Sequence, residues 1–288
     1  MEMVAAAKIK RATQEAEQSQ PFADAIYELA SNTVNFSGFK NHPIFMVRES
    51  VKTALLLVIC SDRGLAGGFN ANVLREALKV YNNYKSRGIE VEIVACGKKA
   101  CAFFKYRNIK TYLEYEGYSE DPRVRDAFEI GKVIYEGYVN EKIDEVCCIF
   151  NFPKNNAEQN LVNLQLLPIP EERLGFFLNP VVYKKQKKSH IFPKDPDYKF
   201  GAIEFEPDEE LVMDFLIKSY IRSLVMYMLT ASSAAEQGAR MVAMKSATDS
   251  VNEMIDSLTT LYNRVRQSAI TTELNEIVGG AAALEENK

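Results

Sequence analysis

Apolar positions change period twice along this chain. From the start to about residue 35, Ala5, Ile9, Ala12, Ala16, Ser19, Ala23, Ile26, Ala30 and Thr33 recur in alternating steps of four and three. That spacing averages the coiled-coil period and predicts a helix with one narrow seam. The seam residues are small, so a partner helix can approach closely. Pro21 interrupts the run, and its missing N–H is expected to bend or open the helix there.

Between about residues 36 and 200 the pattern becomes mixed. Lys52 to Cys60 reads as a buried strand, Asn70 to Arg87 as a helix ended by Gly88, and Val91 to Cys96 as a second strand. A helical stretch follows through Phe104. Asp121 to Asn140 reads as a helix with Pro122 near its start. Val146 to Phe150 and Leu161 to Leu167 read as strands around a polar turn at Lys154 to Asn160. Alternation of this kind predicts a sheet covered by helices. Residues 168 to 207, rich in Pro and Lys, read as a surface connection with some strand.

The last zone is the longest. From Glu209 to Val278 there is no proline, and Gly238 is the only glycine. A helix over that span would reach about 100 Å at ~1.5 Å per residue. Met244, Ala247, Val251, Met254, Leu258, Leu261 and Val265 form one seam. Ile270, Leu274, Ile277, Ala281 and Leu284 continue it after a five-residue step that shifts the register. The economical arrangement pairs the two chain ends as antiparallel helices projecting from the middle domain. The terminal helix is much the longer, so part of it must meet other chains.

Composition narrows the classes. The 288 residues are 47% hydrophobic and 26% charged, with a net charge of −4 that argues against a general nucleic-acid binder. The longest apolar run, Ala54 to Cys60, has the length of a strand, so no membrane insertion is expected, and no signal peptide is read at Met1. Cys60, Cys96, Cys101, Cys147 and Cys148 lack metal-ligand spacing and are expected to be buried thiols.

Three sets of residues carry a family resemblance. The C-terminal set is Ala239-Arg-Met-Val-Ala-Met-Lys-Ser-Ala-Thr248, Leu261-Tyr-Asn-Arg-Val-Arg-Gln-Ser-Ala-Ile-Thr271 and Glu273-Leu-Asn-Glu-Ile-Val-Gly-Gly-Ala-Ala-Ala283. The others are the opening Met1-Glu-Met-Val-Ala-Ala-Ala-Lys-Ile and the loop Ser61-Asp-Arg-Gly-Leu-Ala-Gly-Gly-Phe-Asn70. Together, in this order, they resemble the gamma subunits of F-type ATP synthases, of bacterial type. The resemblance implies an α/β fold: a long antiparallel coiled coil of N- and C-terminal helices plus a central Rossmann-like α/β domain. The expected divisions are residues 1–35, 36–207 and 208–288. Family members begin with a basic helical lead-in ahead of the methionine that aligns with Met1. The inserted Cys pair of chloroplast members has no counterpart here.

The resemblance also implies a role. The chain would be the central-stalk rotor, noncatalytic itself, with no cofactor, metal or catalytic residue of its own. Its partners would be a hexamer of alpha and beta subunits, an epsilon subunit and the c-ring, at the cytoplasmic side of the cell membrane. Arg266, Gln267 and Thr271 would face a loop of the beta subunits, with Arg264 and Arg240 on the same shaft. Met1 and Lys8 would lie lower, near an acidic segment of beta. The apolar end, Ile277 to Leu284, would be a pivot turning in an apolar sleeve.

Simpler readings compete. Gly64, Gly67 and Gly68 follow a strand and precede a helix, as a phosphate loop would, yet match neither G-x-G-x-x-G nor G-x-x-x-x-G-K-[ST]. A tight turn is expected there, with Asp62 or Ser61 satisfying backbone donors. His42 and His190 read as solvated loop residues, as does the run Lys184 to Lys188. A nucleotide-binding enzyme or an unrelated coiled-coil adaptor would each explain part of the pattern but not the three ordered sets together.

Overall fold

The structure is a computed structural model that describes residues 4–14, 42–119, 121–169 and 206–285. It separates into two units, Met1–Val242 and Ala243–Lys288.

The first unit is built on a five-stranded sheet in the order β3-β2-β1-β4-β5. The strands are β1 (Thr53–Ile59), β2 (Glu90–Cys96), β3 (Leu113–Tyr115), β4 (Glu145–Pro153) and β5 (Gln159–Leu167). Strands β1 to β4 are mutually parallel, and β5 returns antiparallel to β4. Helices α2 (Phe69–Ser86), α3 (Lys98–Tyr106) and α4 (Val124–Val139) make the crossovers. A long helix, α5 (Glu209–Glu285), completes the described elements, and residues 4–14 form α1.

Central strand β1 is buried on both faces, which is why it reads as a continuous apolar run rather than an alternating one. Its even positions, Ala54, Leu56 and Val58, meet Val73, Ala77 and Phe104 of α2 and α3. Its odd positions, Leu55, Leu57 and Ile59, meet Ile130 and Ile134 of α4 and Ile221, Leu224 and Met228 of α5. Each fully buried aliphatic side chain contributes on the order of 2 kcal/mol.

Among the described residues the predicted elements are present, with two differences; residues 170–205, read as a surface connection with some strand, lie outside them. β3 was not foreseen, because its Leu113 and Tyr115 are half-buried and no apolar run marks them. Helix α4 starts at Val124 instead of Asp121, since Arg123 is held extended as the N-cap and its side chain turns to Asp126. All five cysteines are buried and free, and burial pushes the Cys101 and Cys147 thiols up to about 12. The three described residues of the N-terminal seam, Ala5, Ile9 and Ala12, are buried in α1. The rest of that seam, Pro21 included, lies outside the described residues, as do His190 and Lys184 to Lys188.

His42 is not a solvated loop residue. Its Nδ1 accepts the Ile44 N–H at 3.3 Å and caps a 3-10 turn, Pro43–Phe45, while Nε2 lies 3.5 Å from the Tyr135 hydroxyl. Burial lowers its pKa.

Helix α5 is a single 77-residue element with two surroundings. From Tyr227 to Ala239 every residue is buried, so the helix is enclosed on all sides there. From Lys245 to Ala281 every residue is exposed.

Among the described glycines, Gly97 marks the tightest backbone approach. Its φ is +92°, and a Cβ would lie 2.2 Å from the Cys60 carbonyl oxygen. Gly97→Ala should therefore cost about 3 kcal/mol or more. Gly64→Ala, whose Cβ would meet nothing closer than Lys99 at 3.9 Å, should stay within about 1 kcal/mol. Urea unfolding of the two variants checks the contrast.

Candidate functional site

Two surfaces carry the residues singled out by sequence. One lies at the carboxyl edge of the sheet; the other is the exposed length of α5.

At the sheet edge, the loop after β1 holds Ser61, Asp62, Gly64, Gly67 and Gly68. Of these glycines only Gly67 needs a positive φ, at +56°. Leu65 has φ +63° without being glycine. The loop is a turn, as expected, but Asp62 serves donors elsewhere. Its Oδ1 accepts the backbone N–H groups of Lys98 at 3.0 Å and Gly117 at 2.9 Å, and Oδ2 accepts that of Ser119 at 3.1 Å. Burial alone would raise the Asp62 pKa; the three N–H donors outweigh it and hold the carboxyl below its ordinary value. Lys98 opens α3, so Asp62 sits where a nucleotide phosphate would meet a helix N-terminus.

Helix α5 closes over this loop. The Arg240 guanidinium donates to Gln237 Oε1 at 3.0 Å, to Glu236 Oε1 at 2.5 Å and to the Gly64 carbonyl at 3.3 Å. Ser233 Oγ donates to the Ser119 carbonyl at 2.6 Å. Asn151 of β4 donates to the Phe69 carbonyl at 3.0 Å, where α2 begins. A small apolar cluster of Ala66, Phe69, Ala235 and Ala239 lies beside these bonds. Glu236 is 1% exposed, and burial pushes its carboxyl up to about 7 although Arg240 pulls the other way. In an open parallel sheet the ligand crevice lies outside the carboxyl ends of the strands where the strand order reverses. Here that reversal falls between β1 and β4, and the chain's own side chains occupy the edge beyond it.

The second unit presents a different surface. Val251, Met254, Leu258, Leu261 and Val265 are each more than half exposed, as are Leu274 and Ile277. Arg264, Arg266, Gln267 and Thr271 are exposed along the same length. At ~100° per residue, Arg264, Gln267 and Thr271 share one face, and Arg266 points about a quarter-turn away from Gln267. The hydroxyls of Thr248, Ser250, Thr260, Thr271 and Thr272 each donate to the carbonyl four residues earlier, for Thr271 that of Gln267 at 2.8 Å. Lys8 is half-buried on α1, and Met1 lies outside the described residues.

The structure therefore joins Arg240 to Gly64 and Asp62 to the neighbouring loops. Arg240 is half-buried in the first unit, whereas Arg264, Arg266, Gln267 and Thr271 are exposed in the second. The sequence reading missed Glu236, Ser119, Ser233 and Gly97. A signal existed for one of them: Glu236 stands four residues before Arg240, the spacing of a helical ion pair.

Comparison with known proteins then decides the family. The sequence matches the family model described as ATP synthase over residues 1–284. It is 39% identical over 284 residues to the ATP synthase gamma chain of Heliobacterium modesticaldum, covering 99% of this chain and 92% of that one. The chain belongs to the ATP synthase gamma chain family. Another gamma-chain relative, from Xanthomonas axonopodis pv. citri, is 35% identical over the same shares. Among solved structures, the fold is similar to a chain of the Tetrahymena thermophila mitochondrial ATP synthase central stalk and c-ring. That match has a TM-score of 0.59 and 25% identity over 86% of this chain and 97% of the other. A rotor chain of the Euglena gracilis mitochondrial ATP synthase has the same fold at TM-score 0.52 and 16% identity, over 93% and 98% of the two chains. Among the described residues of this gamma-family chain, no helix is long and apolar enough to cross a membrane.

The Asp62 contacts generate a pH test. A depressed carboxyl pKa stabilises the fold above the unfolded value near ~3.9, and the contribution is lost as pH falls through the lower folded value. Asp62→Ala strands three backbone donors and should cost about 2 kcal/mol at neutral pH. The deficit should shrink as the solution is acidified below about pH 4. Unfolding midpoints of both proteins across that range measure it.

Proposed function

We propose that this chain is the central-stalk rotor subunit of a rotary ATP synthase, carrying torque between a c-ring and a catalytic hexamer of alpha and beta subunits. The observation that carries this reading is the exposed length of α5. A helix that leaves Val251, Met254, Leu258, Leu261, Val265, Leu274 and Ile277 in water needs other chains around it. Membership of the gamma chain family supplies the kind of chain: the subunits of an ATP synthase.

On this reading the exposed helix lies inside the alpha–beta hexamer. Its surface is chemically unequal around the circumference, with Arg264, Gln267 and Thr271 on one face and Arg266 on another. Each beta subunit in a threefold ring then meets a different side. A rotor biases a site only by contacting its states unequally, and turning by one third exchanges the three conditions. Arginine suits the task because its planar fork addresses carboxylates directionally. The sheet unit would grip the epsilon subunit and the c-ring at the cytoplasmic side of the cell membrane, without entering the bilayer.

The chain is proposed to be noncatalytic. Support comes from the sheet edge, where Asp62 takes the backbone donors that a phosphate would use and α5 closes over the loop. The purified chain should accordingly show no ATP hydrolysis. Turnover that follows the chain through purification would overturn that part of the reading.

The direct test replaces Arg266 and Gln267 with Ala. Both are exposed on a helix, so the isolated chain should keep its stability within about 0.5 kcal/mol. In complex with alpha and beta subunits the double variant should lose about tenfold or more in ATP synthesis, as expected for at least one charge-assisted contact. Synthesis at the unaltered rate would sink the assignment of these two residues.

A further inference from the structure

We infer that Glu236 is a positioning residue that fixes the rotational register of α5 on the carboxyl edge of the sheet, making this contact the joint through which turning force enters the helix. The torque part rests on the function proposed above; the register part stands on the first unit alone.

The argument starts from what encloses the helix. Between Tyr227 and Ala239 all residues are buried, and from Thr230 onward most are Ala, Ser, Thr or Gly. Small side chains permit close packing but resist rotation poorly, because a smooth cylinder can turn within its sleeve. Resistance needs groups that fit at one angle only. The segment from Tyr227 to Arg240 contains two charged residues, Glu236 and Arg240. Glu236 is 1% exposed and holds Arg240 Nη2 at 2.5 Å; that same nitrogen reaches the Gly64 carbonyl at 3.3 Å. Gln237 holds the other terminal nitrogen of the guanidinium at 3.0 Å. The guanidinium is thus oriented by its own helix and presented to the loop after β1.

That loop is itself anchored. Asp62 ties it to the start of α3 and to Gly117 and Ser119 after β3. Ser119 in turn receives Ser233 of α5. On a different side, Gly238 passes the hairpin turn so closely that a Cβ would lie 2.7 Å from the Asn156 carbonyl oxygen. Any turn of α5 about its axis would drive a side chain into Asn156 and pull Arg240 from the Gly64 carbonyl and Ser233 from the Ser119 carbonyl, while the Glu236–Arg240 pair, both on α5, would move with the helix. Glu236 therefore acts on angle through Arg240, whose Nη2 it holds toward the Gly64 carbonyl.

The experiment uses the full chain with spin labels at Val242→Cys on α5 and Lys154→Cys on the hairpin. Both positions are exposed, and the native cysteines are buried. With Glu236 present the inter-label distance should form a single narrow population. Glu236→Ala should broaden or split it, while Glu236→Gln, which keeps a hydrogen-bond acceptor, should fall between. If Glu236→Ala unfolds the chain, the Gln variant alone decides. A distribution as narrow in the variants as in the parent would overturn the register claim. The torque claim is tested separately in the complex with alpha and beta subunits, with a rotation probe on the sheet unit. Glu236→Gln should widen the angular fluctuation of the probe during catalytic pauses. Unchanged fluctuation beside broadened label distances would leave the register and remove the joint. If the parent complex itself does not rotate, the proposed function falls while the label result still judges Glu236.

Discussion

One helix has to satisfy two opposite surroundings, and the rest of the chain is arranged around that demand. Helix α5 is enclosed on every side from Tyr227 to Ala239 and exposed at every residue from Lys245 to Ala281. Its sequence changes accordingly. From Thr230 onward the enclosed stretch is mostly Ala, Ser, Thr and Gly, which lets neighbouring backbone come close, as at Gly238 against Asn156. The exposed stretch keeps large aliphatic residues at seam positions together with Arg, Gln and Thr. Propensity serves both, since neither stretch contains proline, and what differs is what each side chain can reach.

The sheet supplies the enclosure. A parallel sheet of this order ordinarily leaves an opening beyond the carboxyl ends of its strands. Here Asp62 fills the donor cluster from within, and Ser233, Glu236 and Arg240 come down from α5. An architecture familiar from ligand binding is thereby turned into a mechanical seat.

Much of this was legible in the sequence, and the failures are instructive. Strand β1 follows from its continuous apolar run, and helices α2 to α4 and the long helix from apolar residues at helical spacing. β3 did not, since two half-buried residues around an exposed one at a sheet edge leave too little pattern. The loop glycines drew attention while Gly97 did not. What makes Gly97 irreplaceable is the Cys60 carbonyl from another strand, a contact no local motif encodes. Likewise Asp62 was expected to serve nearby donors, whereas its partners lie at Lys98, Gly117 and Ser119. Arg240 looked like a member of the exposed set with Arg264 and Arg266, because periodicity cannot tell where along a helix its cover ends.

The hydroxyls of Thr248, Ser250, Thr260, Thr271 and Thr272 turn back onto their own helix. Each side chain has thereby used its one O–H donor, so a surrounding protein finds fewer loose donors to grasp. On the proposed reading this makes the axle behave like a low-friction bearing surface interrupted by a few deliberate teeth. Polar groups that would otherwise drag at every angle are quiet, and the arginines and Gln267 remain free to engage at particular ones.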